Sequence, residues 1–169
     1  RVSSSIDSPF GPVRSRIASC RGEGMASRAS RPLRLTSVRV ENWRNFTRAD
    51  VALQQRAFLV GPNASGKSNL LDAFRFLHDV VAVGGGFQEA VRRRGGVSRL
   101  RSLSARSNPA VALRVSIGND DGPEAWTYEL RFTQDSRQRP VVKREWVARH
   151  GKTIMERPDS QDESDPERL

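Results

Sequence analysis

The chain has 169 residues, 36% of them hydrophobic, which is enough for one domain with a core of its own. No apolar run approaches the ~20 residues of a membrane helix, and one cysteine beside two histidines supports neither a disulfide framework nor a zinc cluster. The net charge of +10 points toward polyanions, yet 26 of the 29 basic residues are arginine, a skew that a GC-rich genome produces without selection for any ligand.

Residues 1–31 are rich in Arg, Ser, Pro and Gly without apolar periodicity, and the expectation is a disordered leader. Two origins stand for it: an Arg- and Ser-rich organelle transit peptide, or an over-extended reading frame whose translation starts at Met25. The second is favoured. With one cysteine and no membrane helix, a reducing, cytoplasmic setting is expected. The first convincing strand follows, where Leu33, Leu35, Val38 and Val40 alternate with polar residues, with one break. Residues 41–46 read as a turn carrying Trp43 and Phe46, and Val51, Ala52 and Leu53 as a second short strand. Gln54, Gln55 and Arg56 then turn into Ala57-Phe58-Leu59-Val60, an apolar run of the kind a buried parallel strand shows. This is a β-meander, with no room for a helix between its strands.

The next residues carry the chemistry. Gly61, Gly66, Lys67 and Ser68 fit G-x-x-x-x-G-K-[ST], between an apolar run and a helix. Leu70, Phe74, Leu77 and Val81 recur at helical spacing, with Leu71, Ala73 and Val80 widening the apolar face. Glycines at 61 and 66 let successive N–H groups point into one concavity, and the helix N-terminus behind them favours anions. Lys67 is placed to reach the β- and γ-phosphates of a nucleotide, and the Ser68 hydroxyl to ligate the Mg²⁺ that bridges them. Pro62, lacking an N–H, contributes stiffness.

Asn42-Trp43-Arg44-Asn45-Phe46, a short strand and then GPNASGKSNLLDA together resemble the opening of the RecF/SMC-like AAA ATPase heads, whose fold is ABC-ATPase-like. That opening typically reads K-N-F-R-N-F before G-x-N-x-[SA]-G-K-S-N-[LI]-[LIV]-[DE]-A. Asn42, Arg44, Asn45 and Phe46 match the first part, and Gly61, Asn63, Gly66, Lys67, Ser68, Asn69, Leu70, Asp72 and Ala73 the second. The resemblance extends over residues 33–150. It implies an α/β P-loop NTPase lobe with an added antiparallel sheet, from the N-terminal half of a head at residues 32–150. It also implies an ATP site of Gly61, Pro62, Asn63, Ala64, Ser65, Gly66, Lys67, Ser68 and Asn69, with Ser68 on Mg²⁺ and with Arg44 and Asn45 near the phosphates or base. From the residues alone, Arg44 and Asn45 equally suit a solvated turn, Trp43 and Phe46 suit packing, and Asp72 suits the helix dipole.

Gly84, Gly85 and Gly86 end the helix, and a short helix is expected over residues 89–94. Arg92, Arg93 and Arg94, with Arg99, Arg101 and Arg106 beyond, form the densest basic stretch, a candidate contact for DNA backbone or simply a solvated face. Val111, Leu113, Val115 and Ile117, then Trp126, Tyr128, Leu130 and Phe132, predict a hairpin around Asn119-Asp120-Asp121-Gly122, with a third strand at residues 141–147. Residues 151–169 are expected to be an acidic, disordered tail.

Hydrolysis by such a site needs a second Mg²⁺ contact and a base to orient water, normally from four apolar residues ending in Asp-Glu. No such run stands in the sequence, and no LSGGQ-like signature either. The reading is therefore an ATPase head cut off before its catalytic strand, with a second head or a missing C-terminal half as its partner, and with Gln88, Gln134 and Gln138 each candidates for a metal-sensing glutamine. The rival readings are a non-enzymatic remnant and a basic nucleic-acid-binding module with a vestigial phosphate loop.

Overall fold

The computed structural model describes residues 5–7, 13–14, 32–103, 109–159 and 162. In chain order the elements are β1 (Ser5–Asp7), β2 (Val13–Arg14), β3 (Arg34–Trp43), β4 (Phe46–Ala52), α1 (Lys67–Val81), α2 (Phe87–Arg93), α3 (Val97–Leu100), β5 (Val111–Gly118), β6 (Trp126–Gln134), β7 (Pro140–Arg149) and β8 (Lys152–Arg157). The strands form one sheet in the order β2-β1-β4-β3-β5-β6-β7-β8. Every pairing in it is antiparallel.

Period-two alternation decides which face meets the helices. On β3, Thr36, Val38 and Val40 point inward and are buried, while Arg39 and Glu41 point outward. The break in the sequence pattern is a bulge, a register shift between Leu35 and Ser37 against β5. The Asn119 side chain closes the β5–β6 turn by accepting from the Asp121 and Gly122 amides at 3.1 and 2.8 Å, so that hairpin is formed where Asn-Asp-Asp-Gly predicts it.

The core is an aromatic chain between sheet and helices. Phe76 on α1 meets Trp43 edge-on at 5.3 Å and stacks on Phe132 at 5.5 Å, and Phe87 of α2 meets Phe132 edge-on at 5.2 Å. Such rings bury roughly 150–250 Å² each and prefer these geometries. The buried line of α1 is thus Leu70, Ala73 and Phe76, with Phe74, Leu77 and Val80 packed beside it. The predicted line through Leu70, Phe74, Leu77 and Val81 is displaced around the helix, and Val81 and Leu71 are exposed. Leu and Val at those positions have the right period, but Phe76 fills the gap between Trp43 and Phe132, and that rotates the helix.

Three further expectations are corrected. Ala57–Val60 is not a strand: among the described residues no strand runs beside it, and Phe58 and Val60 are 72% and 73% exposed. An apolar run becomes a strand only where a neighbour pairs its backbone, and every described pairing lies elsewhere. The acidic tail does not begin at 151, because residues 152–157 form β8, paired from Arg149↔Lys152 to Glu145↔Arg157. The leader is not wholly irregular, because β1 pairs with β4 through Ile6↔Ala49 and Asp7↔Arg48. The remainder of both tails lies outside the described residues.

Candidate nucleotide-binding site

The phosphate loop runs from the end of β4 into α1, and the backbone explains its glycine. Gly66 sits at φ 94°, ψ 4°, in the left-handed region, as the N-cap of α1. A Cβ there would lie 2.7 Å from both Asn45 Nδ2 and Phe46 Cζ. Only glycine meets both demands. Ala64 also takes a positive φ, 64°, and the Ser65 amide donates to Pro62 O at 3.3 Å, so residues 62–65 turn back on themselves. Lys67 Nζ donates to Gly61 O at 2.7 Å and Pro62 O at 2.6 Å, capping the curled loop. Asn63 and Ser68 are exposed. The first intrahelical bond runs from the Leu70 amide to Gly66 O at 2.9 Å, and no acid lies in the first turn of α1. The amides of residues 67–69 thus precede the helical ladder at its positive end, an arrangement suited to an anion.

The β3–β4 hairpin tip is seated on this loop. Asn69 Nδ2 donates to Asn45 Oδ1 at 2.8 Å, and the Trp43 indole donates to Asn69 O at 2.7 Å. Phe46 is buried against Gly66. Arg44, at φ 54°, donates its amide to Leu100 O at 2.6 Å, which pins the tip to α3 as well. Its guanidinium pairs with Asp72 at 2.9 Å rather than standing free. Of the two residues expected near a nucleotide, Asn45 lies against Gly66 and accepts from the Asn69 side-chain amide, and Arg44 faces a carboxylate of α1.

Asp72 is one end of a network that sequence reasoning missed. Arg94 Nε pairs with Asp72 at 3.0 Å, its Nη1 pairs with Asp79 at 2.7 Å, and its guanidinium lies 5.2 Å over Phe76. Its side chain is 8% exposed. Arg94 is therefore a bolt between α2 and α1, and the expectation that it touches DNA is corrected on that ground. The available signal was spacing: acids at 72 and 79 stand two turns apart on one face of α1. Arg92 and Arg93 keep exposed side chains, both held by Glu89 at 2.7 and 2.9 Å. Those two guanidiniums pull the Glu89 carboxyl down to about 2.

Two of the three candidate glutamines lie at the far end of α1 from the loop. Gln88 and Gln138 line an open groove of about 770 Å³ beside Gly85 and Gly86, which follow the C-terminal end of α1. The 15 residues of α1 separate that end from the loop by about 22 Å at the helical rise. Gln88 and Gln138 thus stand at the end of α1 opposite the phosphate loop. Gln134 accepts from Ser98 Oγ at 2.9 Å. Among the described residues there is no cluster of His, Cys, Asp or Glu suited to a metal, and no helix is long and apolar enough to cross a membrane.

Comparison with known proteins follows the same lines. Residues 56–169 match the family described as "AAA domain, putative AbiEii toxin, Type IV TA system". A stretch of 78 residues is 37% identical to the DNA replication and repair protein RecF of Clavibacter michiganensis subsp. michiganensis, and equally to that of Clavibacter sepedonicus. The match covers 45% of this chain and 19% of each relative, so the chain spans about a fifth of the length of the curated relatives it matches. A solved structure of the recombination mediator protein RecF-ATPrS in the RecFOR pathway superposes with a TM-score of 0.41 at 23% identity, over 73% of this chain and 28% of that one. The chain belongs to the AAA-domain family described as putative AbiEii toxin, Type IV TA system, and within it is similar to RecF over the matched 78 residues.

Proposed function

We propose that this chain is the ATP-binding portion of a RecF/SMC-like AAA ATPase that acts on DNA in repair, chromosome maintenance or phage defence. The observation that carries the reading is the loop itself: a left-handed Gly66 opening an acid-free helix N-terminus, with Lys67 folded over the curl and Ser68 exposed beside it. A nucleoside triphosphate fits this donor set. Backbone amides at residues 66–69 and the Lys67 ammonium take phosphate oxygens, and the Ser68 hydroxyl supplies one ligand to Mg²⁺. When bound, Mg²⁺ neutralises charge on the β- and γ-phosphates. Asn45 and Asn69 keep the loop in register, and Arg44 holds the hairpin tip to α1 through Asp72.

The carboxylates that complete hydrolysis are proposed to come from a segment corresponding to the part of the RecF relatives outside the matched 19%. Phe58, Val60 and Leu71 are exposed in this chain, and such large apolar side chains suit burial against a segment of that kind. DNA contact, where it occurs here, falls to Arg92 and Arg93. Glu89 neutralises part of that charge, which disfavours the reading as a basic nucleic-acid module.

The test is titration of the 169-residue chain with a fluorescent ATP analogue and Mg²⁺, beside Lys67→Ala. Micromolar binding lost in the variant supports the proposal. A folded wild type that binds nothing refutes it, and leaves the reading as a non-enzymatic remnant.

A further inference from the structure

We propose that Asn45 is a positioning residue: through its hydrogen bond with Asn69 it sets the curvature of the phosphate loop, rather than touching the nucleotide itself. The inference deepens the reading of the loop as an ATP site and rests on it for its consequence. It stands on three contacts that converge on one turn of backbone. Asn69 Nδ2 donates to Asn45 Oδ1 at 2.8 Å, so the carbonyl end of Asn45 is committed to α1. The Nδ2 end of Asn45 lies 2.7 Å from where a Cβ on Gly66 would be, so it packs on the loop backbone. The Trp43 indole, fully buried, donates to Asn69 O at 2.7 Å and so fixes the same residue by its backbone carbonyl.

The consequence is mechanical. Asn69 is the third residue of α1, and its amide precedes the first helical hydrogen bond, so no helical bond holds that amide. The hairpin tip adds a hold on the same residue, through its side chain and its carbonyl. Asn45 and Trp43 flank Arg44, whose amide is tied to Leu100 O at 2.6 Å, so the tip is anchored independently of the loop. A phosphate bound at residues 66–69 would be read by an element already locked to the sheet. Affinity is then set by how well the clamp holds Asn69 in place.

The experiment uses the whole chain and five variants: Asn45→Ala, Asn69→Ala, the double variant, and the pair Asn45→Asp and Asn45→Leu as a matched control. Two readouts are taken after circular dichroism confirms folding. One is affinity for the fluorescent ATP analogue with Mg²⁺. Each alanine variant is expected to weaken it by about tenfold, the scale of one hydrogen bond, and the double variant to weaken it no further. Losses that multiply mean two independent contacts and overturn the proposal.

The other readout is amide hydrogen exchange at residues 66–70 without nucleotide. Asn45→Ala speeds exchange, Asn45→Asp restores protection because it keeps an acceptor oxygen for Asn69, and Asn45→Leu does not. Restoration by Asn45→Leu means mere space filling and overturns the proposal. If wild type binds no nucleotide, the ATP reading fails and exchange alone judges the clamp. If Asn45→Ala fails to fold, Asn69→Ala removes the same bond and leaves the hairpin and the Trp43 contact intact.

Discussion

Replacing Gly66 by alanine tests whether the loop is held by packing or by backbone conformation alone. Two costs are expected to add. At φ 94° an alanine enters the left-handed region, for about 1–2 kcal/mol. Its Cβ would also lie 2.7 Å from Asn45 Nδ2 and from Phe46 Cζ. Phe46 is 2% exposed, so its ring has no free direction to move, and overpacking of this kind costs about 1–3 kcal/mol. The expected destabilisation is about 2–5 kcal/mol, or roughly 6–15 °C in melting temperature at about 3 °C per kcal/mol for a chain of this size. Gly84 is the matched control, with φ 71° and nothing within 4 Å of its Cβ position, so Gly84→Ala should lose only the backbone part. Urea unfolding of the two variants measures the difference. Placing Gly66→Ala in a Phe46→Leu background removes Cζ and should shrink its cost. Equal losses at Gly66 and Gly84, within about 0.5 kcal/mol, would refute the argument that the hairpin packs on the loop.

Arg94→Ala should destabilise by about 2–3 kcal/mol, below the range for fully buried pairs because water reaches both carboxylates. Its effect is pH-dependent: the hydrogen bond from Arg94, with the charges of Arg94 and Arg93, holds the Asp79 carboxyl below its usual range. Folding therefore gains from that pair above the unfolded carboxylate pKa and loses the gain as pH falls through the lower folded value, so urea melts at pH 7 and pH 3 should show a smaller loss at pH 3. On the opposite face of the sheet, Glu129 has a side chain 4% exposed that pairs with Arg114, Arg131 and Arg144. Glu129→Ala leaves three guanidiniums facing one another and should cost about 2–3 kcal/mol in the same assay; no loss would mean that they rehydrate freely. Phe58→Asp should change the stability of this chain by less than about 0.5 kcal/mol, because Phe58 is 72% exposed. A loss above about 1 kcal/mol would show that residues 57–60 are packed in solution.

The elements with a strong period were legible. The antiparallel run β5–β6–β7, the hairpin at Asn119–Gly122 and the loop leading into α1 all stand where alternation and turn residues put them. β8 was not legible: Lys152–Arg157 carries four polar residues and holds its place by pairing with β7, which no local pattern announces. At the site, the pattern Asn-Trp-Arg-Asn-Phe belongs to a hairpin tip seated on Gly66 and Asn69. It did not tell which atom of each side chain was already engaged.

By itself, the order of residues determined what local geometry and chemistry settle. The glycine that must be left-handed, the lysine and serine at a helix start, and the inward and outward sides of each strand all follow from neighbours a few positions apart. Tertiary structure alone decided the rest. Whether Ala57–Val60 becomes a strand depends on a partner for its backbone, and none lies beside it among the described residues. Whether Arg94 is a surface charge or a bolt depends on Asp72 and Asp79, which are brought to it by the packing of α2 on α1. Phe76 becomes the centre of the core because Trp43 and Phe132, 33 and 56 residues away in sequence, converge on it. Burial and pairing are properties of neighbours in space, and only the fold names those neighbours.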